Sequence, residues 1–461
     1  MSRDGWSGVS LLGDGVPVPC IDGIERPYLS LDAAASTSAL PEVADRVSGF
    51  LPWYSSVHRG AGYKSQAATA AYEAARAAFL RFAGRSDADT AIICRNTTEA
   101  INHLAYRLRL APGDVVLTTV VEHHANLLPW GRVATRRYVE CGTEGTFEVA
   151  DVVAGLDQRP RPRLLAVTGA SNVTGWLPPL GEIIEAAHHR GVPVAVDAAQ
   201  LAPHRPLPAA ADFISWSGHK MYAPFGAGVL IGPRRAFAEG DPFLAGGGAV
   251  DLVDLDEVVW TDPPEREEAG SPNVVGAVAL HAAVDELERL GWSAVTAHEA
   301  ELRTRLRAAV AAVPGVRLLG PGEGTATLPV ISFTVEGMAH QLVAARLSAE
   351  FGIGVRHGCF CAHPYLTRLL GLDAAAIERF RDEVRRGDRR TIPGAVRVSA
   401  GLSTTVADVD RLADALGQVL HGGHPPVDYE QDPRTGDYHP VTDDPRWAAI
   451  NRAPGAGCAR G

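Results

Sequence analysis

No stretch of this chain reaches the roughly 18 uninterrupted apolar residues that a membrane helix requires, which argues against a bilayer protein. The N-terminus lacks the basic start, apolar run and small-residue cleavage site of a secretory leader; residues 1–20 are rich in Gly and Pro instead. The expected location is the cytoplasm. Basic charge is in deficit, with 43 Lys and Arg against 54 Asp and Glu and a net charge of -11. That balance argues against a general nucleic-acid or anionic-membrane partner and favours small-molecule chemistry. The six cysteines, at 20, 94, 141, 359, 361 and 458, have no spacing typical of a disulfide framework or a zinc module. Free thiols and no metal are expected. No internal repeat is found.

What is present is a long alternation. Strand-like runs at 90–94, 115–119, 163–168 and 192–196 are separated by Ala- and Leu-rich helical stretches such as 67–82 and 180–190. Such alternation means an α/β fold, a mainly parallel sheet sandwiched by helices. At 461 residues the chain exceeds the roughly 250 to 300 at which a single core stops growing. A helical pattern from 273 to 290 continues into 295–313 and stops at Pro314-Gly315, as a bridge to a second domain would. The expected layout is an N-terminal segment (1–28), a large domain (29–290), a smaller α+β C-terminal domain (291–420) and an extended or partly disordered tail (421–461), where Pro, Asp and Tyr replace periodicity.

Chemistry gathers at the ends of the strand-like runs. Ser217-Gly218-His219-Lys220 follows one apolar run, and Asp197 closes another, Val194-Ala195-Val196-Asp197. A lysine that can condense with an aldehyde and a buried acid that needs a cationic partner outline a pyridoxal 5'-phosphate (PLP) site. Gln200, just after Asp197, would meet the ring oxygen. The segment Arg95-Asn96-Thr97-Thr98-Glu99-Ala100 opens a helix, whose free N–H groups and threonine hydroxyls suit a phosphate; the bland alternative is an ordinary Thr cap. Glu122-His123-His124-Ala125-Asn126 follows a run read as 115–121, so its imidazoles would project at the carboxyl edge of the sheet. Ser217 and His219 can also donate to the phosphate, and Gly226-Ala227-Gly228 lets backbone pass close by.

Taken in order, these motifs resemble the class V aminotransferase superfamily of PLP fold type I, a mainly parallel sheet of the seven-stranded type, closest to group II cysteine desulfurases and selenocysteine lyases. The resemblance covers about residues 28 to 420. It also rests on Leu29-Ser30-Leu31-Asp32-Ala33-Ala34-Ala35, His58-Arg59-Gly60, Ser171-Asn172-Val173, Ala269-Gly270-Ser271-Pro272-Asn273 and Val396-Arg397-Val398-Ser399. It implies that Lys220 is the Schiff-base lysine, Asp197 pairs with the pyridine nitrogen, Gln200 contacts the ring hydroxyl oxygen and His123 stacks on the ring. Thr97, Thr98, Ser217 and His219 would hold the phosphate, joined by Ser271 from the second subunit of a homodimer. Asn172 and Arg356 would hold the carboxylate of an amino-acid substrate, Arg356 through a two-pronged bridge.

In desulfurases a cysteine follows that arginine by five residues, and Arg356-His357-Gly358-Cys359-Phe360-Cys361 puts Cys361 there. The resemblance therefore implies that Cys361 accepts sulfur from L-cysteine as a persulfide, leaves alanine, and passes the sulfur to an acceptor, for which a sulfur-acceptor protein is one candidate. Cys359 is a second redox thiol or a packing residue, and the loop also resembles that of molybdenum-cofactor sulfurases. Two departures, Asn96 where Gly is common and Gly62-Tyr63 where many members have His, fall on the substrate side. The rival readings are a PLP-dependent carbon–sulfur lyase, epimerase or aminotransferase, and a non-catalytic PLP-fold scaffold that relays sulfur. Cys361 disfavours the epimerase and aminotransferase; an intact Lys220 and Asp197 disfavour the scaffold.

Overall fold

The computed structural model describes residues 8–447; Cys458 and the last part of the expected tail lie outside the described residues. Seven strands form the main sheet: β1 (Asp89–Cys94), β2 (Val115–Thr119), β3 (Thr135–Val139), β4 (Leu164–Thr168), β5 (Val194–Asp197), β6 (Phe213–Ser217) and β7 (Gly228–Pro233). Their order is β1-β7-β6-β5-β4-β2-β3, parallel except for β7, which runs antiparallel to both neighbours. Side chains alternate across a strand, and here both faces are dry. Leu165, Val167, Val194, Val196 and Ile214 enter one apolar cluster, while Leu164, Ala166, Ala195 and Phe213 enter another on the opposite face. This is why the strands read as continuous apolar runs rather than as alternating ones.

One face is covered by the helices Pro41–Phe50, Tyr63–Phe82 and Val274–Leu290, with Tyr72, Phe79 and Phe82 directed into the cluster. The pattern expected to run on from 290 is broken by Gly291, whose φ of +78° no β-carbon tolerates well, and a new helix spans Trp292–Ala311. A second sheet follows, with β8 (Val316–Leu319), β9 (Val330–Val335), β10 (Arg356–Gly358) and β11 (Ala395–Ser399) in the antiparallel order β8-β9-β11-β10. Its own core joins Phe333 and Val398 to Leu302, Leu347 and Leu412 from the helices Trp292–Ala311, His340–Phe351 and Val406–His421. Leu29 and Leu31 also pack in this cluster, because Leu29–Ser30 pairs in parallel with Ile353–Gly354.

Beyond helix Val406–His421 the chain is not simply extended. Tyr429–Gln431 and Tyr438–Pro440 pair as an antiparallel hairpin. Among the described residues no helix is long and apolar enough to cross a membrane.

Candidate active site

The carboxyl ends of the parallel strands converge on one cavity of about 770 Å³. Its walls include Thr97, Thr98, His123, Asn172, Asp197, Gln200, Ser217, His219, Lys220, Arg356, Cys359 and Cys361. Eleven of the twelve residues singled out from the sequence as cofactor, substrate or catalytic groups thus share a single chamber, as ligands of open α/β sheets do. Ser271 does not. It lines a separate cavity of about 320 Å³ beside His58, Arg59 and Glu268.

Each strand end supplies its group for a local reason. After β1, Asn96 rather than a threonine caps helix Thr97–Arg107, its side chain accepting from Glu99 N at 3.0 Å. The threonines are thereby left for other work. Thr97 N donates to Ser217 Oγ at 2.8 Å, and the two hydroxyls lie 2.7 Å apart, so the helix start is tied to the turn that carries Lys220. Close approach requires Gly228, since a β-carbon there would lie 2.7 Å from Asn96 Cα.

Lys220 is one of two lysines in the chain, the other being Lys64. Burial lowers its ammonium to about 8, opposed by the attraction of Asp197. Asp197 accepts from Ala199 N at 2.9 Å, and burial pushes its carboxyl above the usual range. His123 is held near 3 by burial and then by Lys220, so its imidazole is neutral, with Nδ1 accepting from Ala125 N at 3.0 Å. Burial, followed by Lys220, lowers His219 to about 4. Beneath His123, the buried Glu122 accepts from Thr119 Oγ1, Asn126 Nδ2 and Thr168 N, which locks the ends of β2 and β4 together. With three neutral donors and no cation, Glu122 is raised by burial to about 8.

These groups fit PLP. The cofactor needs a buried amine, an acid for the ring nitrogen and donors for the phosphate, and Lys220, Asp197 and the Thr97–Ser217 cluster offer them in one chamber. Gln200 donates Nε2 to Ala34 O at 2.7 Å and keeps Oε1 buried without a protein partner, an acceptor suited to a ring hydroxyl.

The chamber also holds a buried arginine that the sequence reading quoted in a motif but did not single out as a site residue. Arg397, on β11, is 2% exposed and donates to Asn172 O and Asp32 Oδ1, each at 2.8 Å. Its guanidinium lies 5.0 Å from the Phe360 ring centroid, and burial lowers its pKa. Arg356 also lines the cavity, but its side chain is 43% exposed and 3.9 Å from Asp32. The signal for Arg397 was its motif, Val-Arg-Val-Ser: a charged residue inside an apolar strand must find a partner.

The cysteine loop is pinned from three sides. Asn172 Nδ2 donates to Phe360 O at 2.7 Å, His124 N donates to Cys361 O at 2.7 Å, and Arg397 packs on Phe360. Phe360 and Cys361 both adopt left-handed φ, +54° and +53°, an uncommon conformation that cross-links of this kind hold in place. Cys361 is exposed and Cys359 half-buried. His363 stacks on His124 with centroids 5.1 Å apart, a second pair that sequence reasoning did not single out.

Known proteins match this architecture. The model of the family described as aminotransferase class-V matches residues 29–412. A cysteine desulfurase of Dickeya dadantii is 36% identical over 407 residues, covering 86% of this chain and 92% of that protein. A probable cysteine desulfurase of Halobacterium salinarum is 36% identical over 372 residues, 77% of this chain and 88% of that one. The apo cysteine desulfurase of Thermococcus onnurineus NA1 superposes with a TM-score of 0.77 at 30% identity, over 86% of this chain and 95% of its own. One from Escherichia coli gives a TM-score of 0.73 at 33% identity, over 85% and 94%. With the family's sequence pattern running through both sheets, residues 29–412, this chain belongs to the aminotransferase class-V family.

Proposed function

We propose that this chain is a PLP-dependent cysteine desulfurase: L-cysteine and the Cys361 thiol become L-alanine and a Cys361 persulfide. The observation that carries this reading is an exposed thiol, Cys361, in the same chamber as the buried amine Lys220. When bound, PLP supplies the electron sink for cleavage next to Cα. Lys220 holds the cofactor and, once displaced by substrate, moves the Cα proton; its lowered pKa suits a base near neutral pH. Asp197 keeps the ring nitrogen protonated, its own burial making a cationic partner favourable. His123, neutral, covers the ring without repelling it. Thr97, Thr98, Ser217 and His219 hold the phosphate, and Gln200 the ring hydroxyl. Asn172 and Arg397 orient the substrate carboxylate, with Arg356 nearer solvent, and the pinned loop offers the Cys361 sulfur to the substrate sulfur.

A homodimer completes the site in this reading, with Ser271 reaching the other subunit's phosphate. Its support is the separate position of Ser271 and the hairpin Val250–Val253 with Val258–Trp260, whose Leu252, Val253, Leu255 and Val258 are exposed. The free thiols support a reducing, cytoplasmic setting. The small sheet's own apolar core, apart from the two that flank the main sheet, supports a small unit at 291–420 beside a large one at 29–290. The two units interlock, with Tyr365 and Leu402 joining the large core and Leu29 and Leu31 the small one. Product analysis tests the activity. Alanine should form from L-cysteine in step with sulfur transferred, whereas pyruvate with free sulfide would replace this reading by a lyase.

A further inference from the structure

The chamber takes in more than a cofactor and cysteine need. On its solvent side it is walled by Ile377, Phe380 and Val384, by Ile392, and by Thr435 and Asp437. The first three lie on one face of helix Ala374–Arg385, at i, i+3 and i+7. That helix buries only Ala376, so its apolar stripe, half-buried, serves the cavity rather than a core.

Thr435 and Asp437 belong to the turn of the C-terminal hairpin, which lies beyond the last residue matched by the family model, 412. It is firmly docked. Pro433 O accepts from Arg389 N at 2.8 Å, Gln431 Nε2 donates to Arg390 O at 3.0 Å, and Tyr429 OH donates to Glu350 Oε1 at 3.0 Å. Asp437 Oδ1 sits 3.3 Å from His357 Nε2, next to Arg356 in β10. Gly436, at φ +84°, passes so close that a β-carbon would meet Arg389 O at 2.5 Å.

We propose that this outer compartment is the acceptor subsite of the desulfurase, and that it selects a low-molecular-weight thiol with an apolar stem. The inference rests on the desulfurase reading above. The stem lies along Ile377, Phe380 and Val384 while the acceptor thiolate attacks the outer sulfur of the Cys361 persulfide. The S–S bond breaks, Cys361 leaves as thiolate, and the acceptor carries the sulfur away as a persulfide, with no further oxidant. Continuity with the chamber of Cys361 argues for a small occupant, and the apolar stripe for a carbon-rich one.

The test compares ethanethiol, butanethiol and hexanethiol, whose thiols have the same intrinsic reactivity. Cys361 of the full chain is loaded with L-cysteine in one arm and with inorganic polysulfide in another, and loss of the extra sulfur is followed by mass spectrometry. Each methylene that the wall buries should speed transfer about fourfold, so hexanethiol, with four more methylenes, should outrun ethanethiol by about fifteenfold if two are buried and by about two hundredfold if all four are. Phe380→Ser and Val384→Ser should pull that ratio toward one; a ratio taken within one enzyme cancels any loss of folded protein. Equal rates for all three thiols, or a ratio that neither substitution moves, would overturn the proposal and favour a folded acceptor docking outside the cavity. Failure to load from L-cysteine alone would sink the desulfurase reading, while the polysulfide arm still judges the subsite.

Discussion

Replacing Arg397 by lysine separates the two arginines that compete for the substrate carboxylate. Arg397 is 2% exposed and uses one guanidinium nitrogen on Asn172 O and another on Asp32, each at 2.8 Å. A lysine ammonium keeps the charge but not the planar fork, so it cannot hold both anchors and a carboxylate in register. Losing one charge-assisted hydrogen bond in a buried site costs about 1.5 to 3 kcal/mol, or about tenfold to a hundredfold in binding. Arg356→Lys is the control. Its side chain is 43% exposed, and an ion pair that an exposed arginine makes with a carboxylate is worth about 0 to 1 kcal/mol, so KM should rise less than about fivefold. The assay is alanine production over a range of L-cysteine, with cofactor absorbance checking that both variants still load. Arg397→Lys should raise KM far more than Arg356→Lys. The reverse order would return the carboxylate to Arg356 and refute the reasoning from burial.

Lys220→Ala should abolish borohydride-reducible attachment of the cofactor, since the chain's other lysine, Lys64, lies at the start of helix Tyr63–Phe82 and lines neither cavity; labelled peptide at Lys64 would contradict the assignment. Asp197→Asn should still bind PLP but turn over at least about a hundredfold more slowly, because the site then loses an ion pair worth several kcal/mol; an unchanged rate would remove Asp197 from the chemistry. Without cofactor, stability should carry the signature of Lys220, whose amine titrates near 8 when folded against an ordinary 10.5. The unfolded chain binds the extra proton between those values, so Lys220 makes stability rise with pH in that window, by roughly 3 kcal/mol. The urea midpoint of the apoprotein should climb from pH 8 to 10 relative to Lys220→Met, and parallel pH profiles would refute the burial of this charge. Cys361→Ser should bind L-cysteine but form no persulfide, whereas Cys359→Ser should keep alanine production, both followed by product analysis.

Much of this site was legible because it sits where apolar runs stop. The run 115–119 is bounded as β2 is, and Asp197 and Ser217 close strands buried on both faces, so a polar residue after each run marks the edge where ligands gather. Arg397 was less legible because its anchor, Asp32, is 365 residues away, and a strand pattern says nothing about distant partners. The alternative of a Thr cap was open in the sequence because Asn, Thr and Thr are all good caps; in the structure Asn96 takes that task and Thr97 contacts Ser217 instead. The hairpin Tyr429–Gln431 with Tyr438–Pro440 had no periodicity to reveal it, since its docking depends on backbone groups of Arg389 and Arg390.

The most direct test of the desulfurase account is mass spectrometry of the holoenzyme after a single turnover with L-cysteine, with alanine quantified in the same sample. The account predicts one additional sulfur on Cys361 for each alanine released. An added sulfur on Cys359 with Cys361 unmodified, or none on either together with pyruvate, would contradict it.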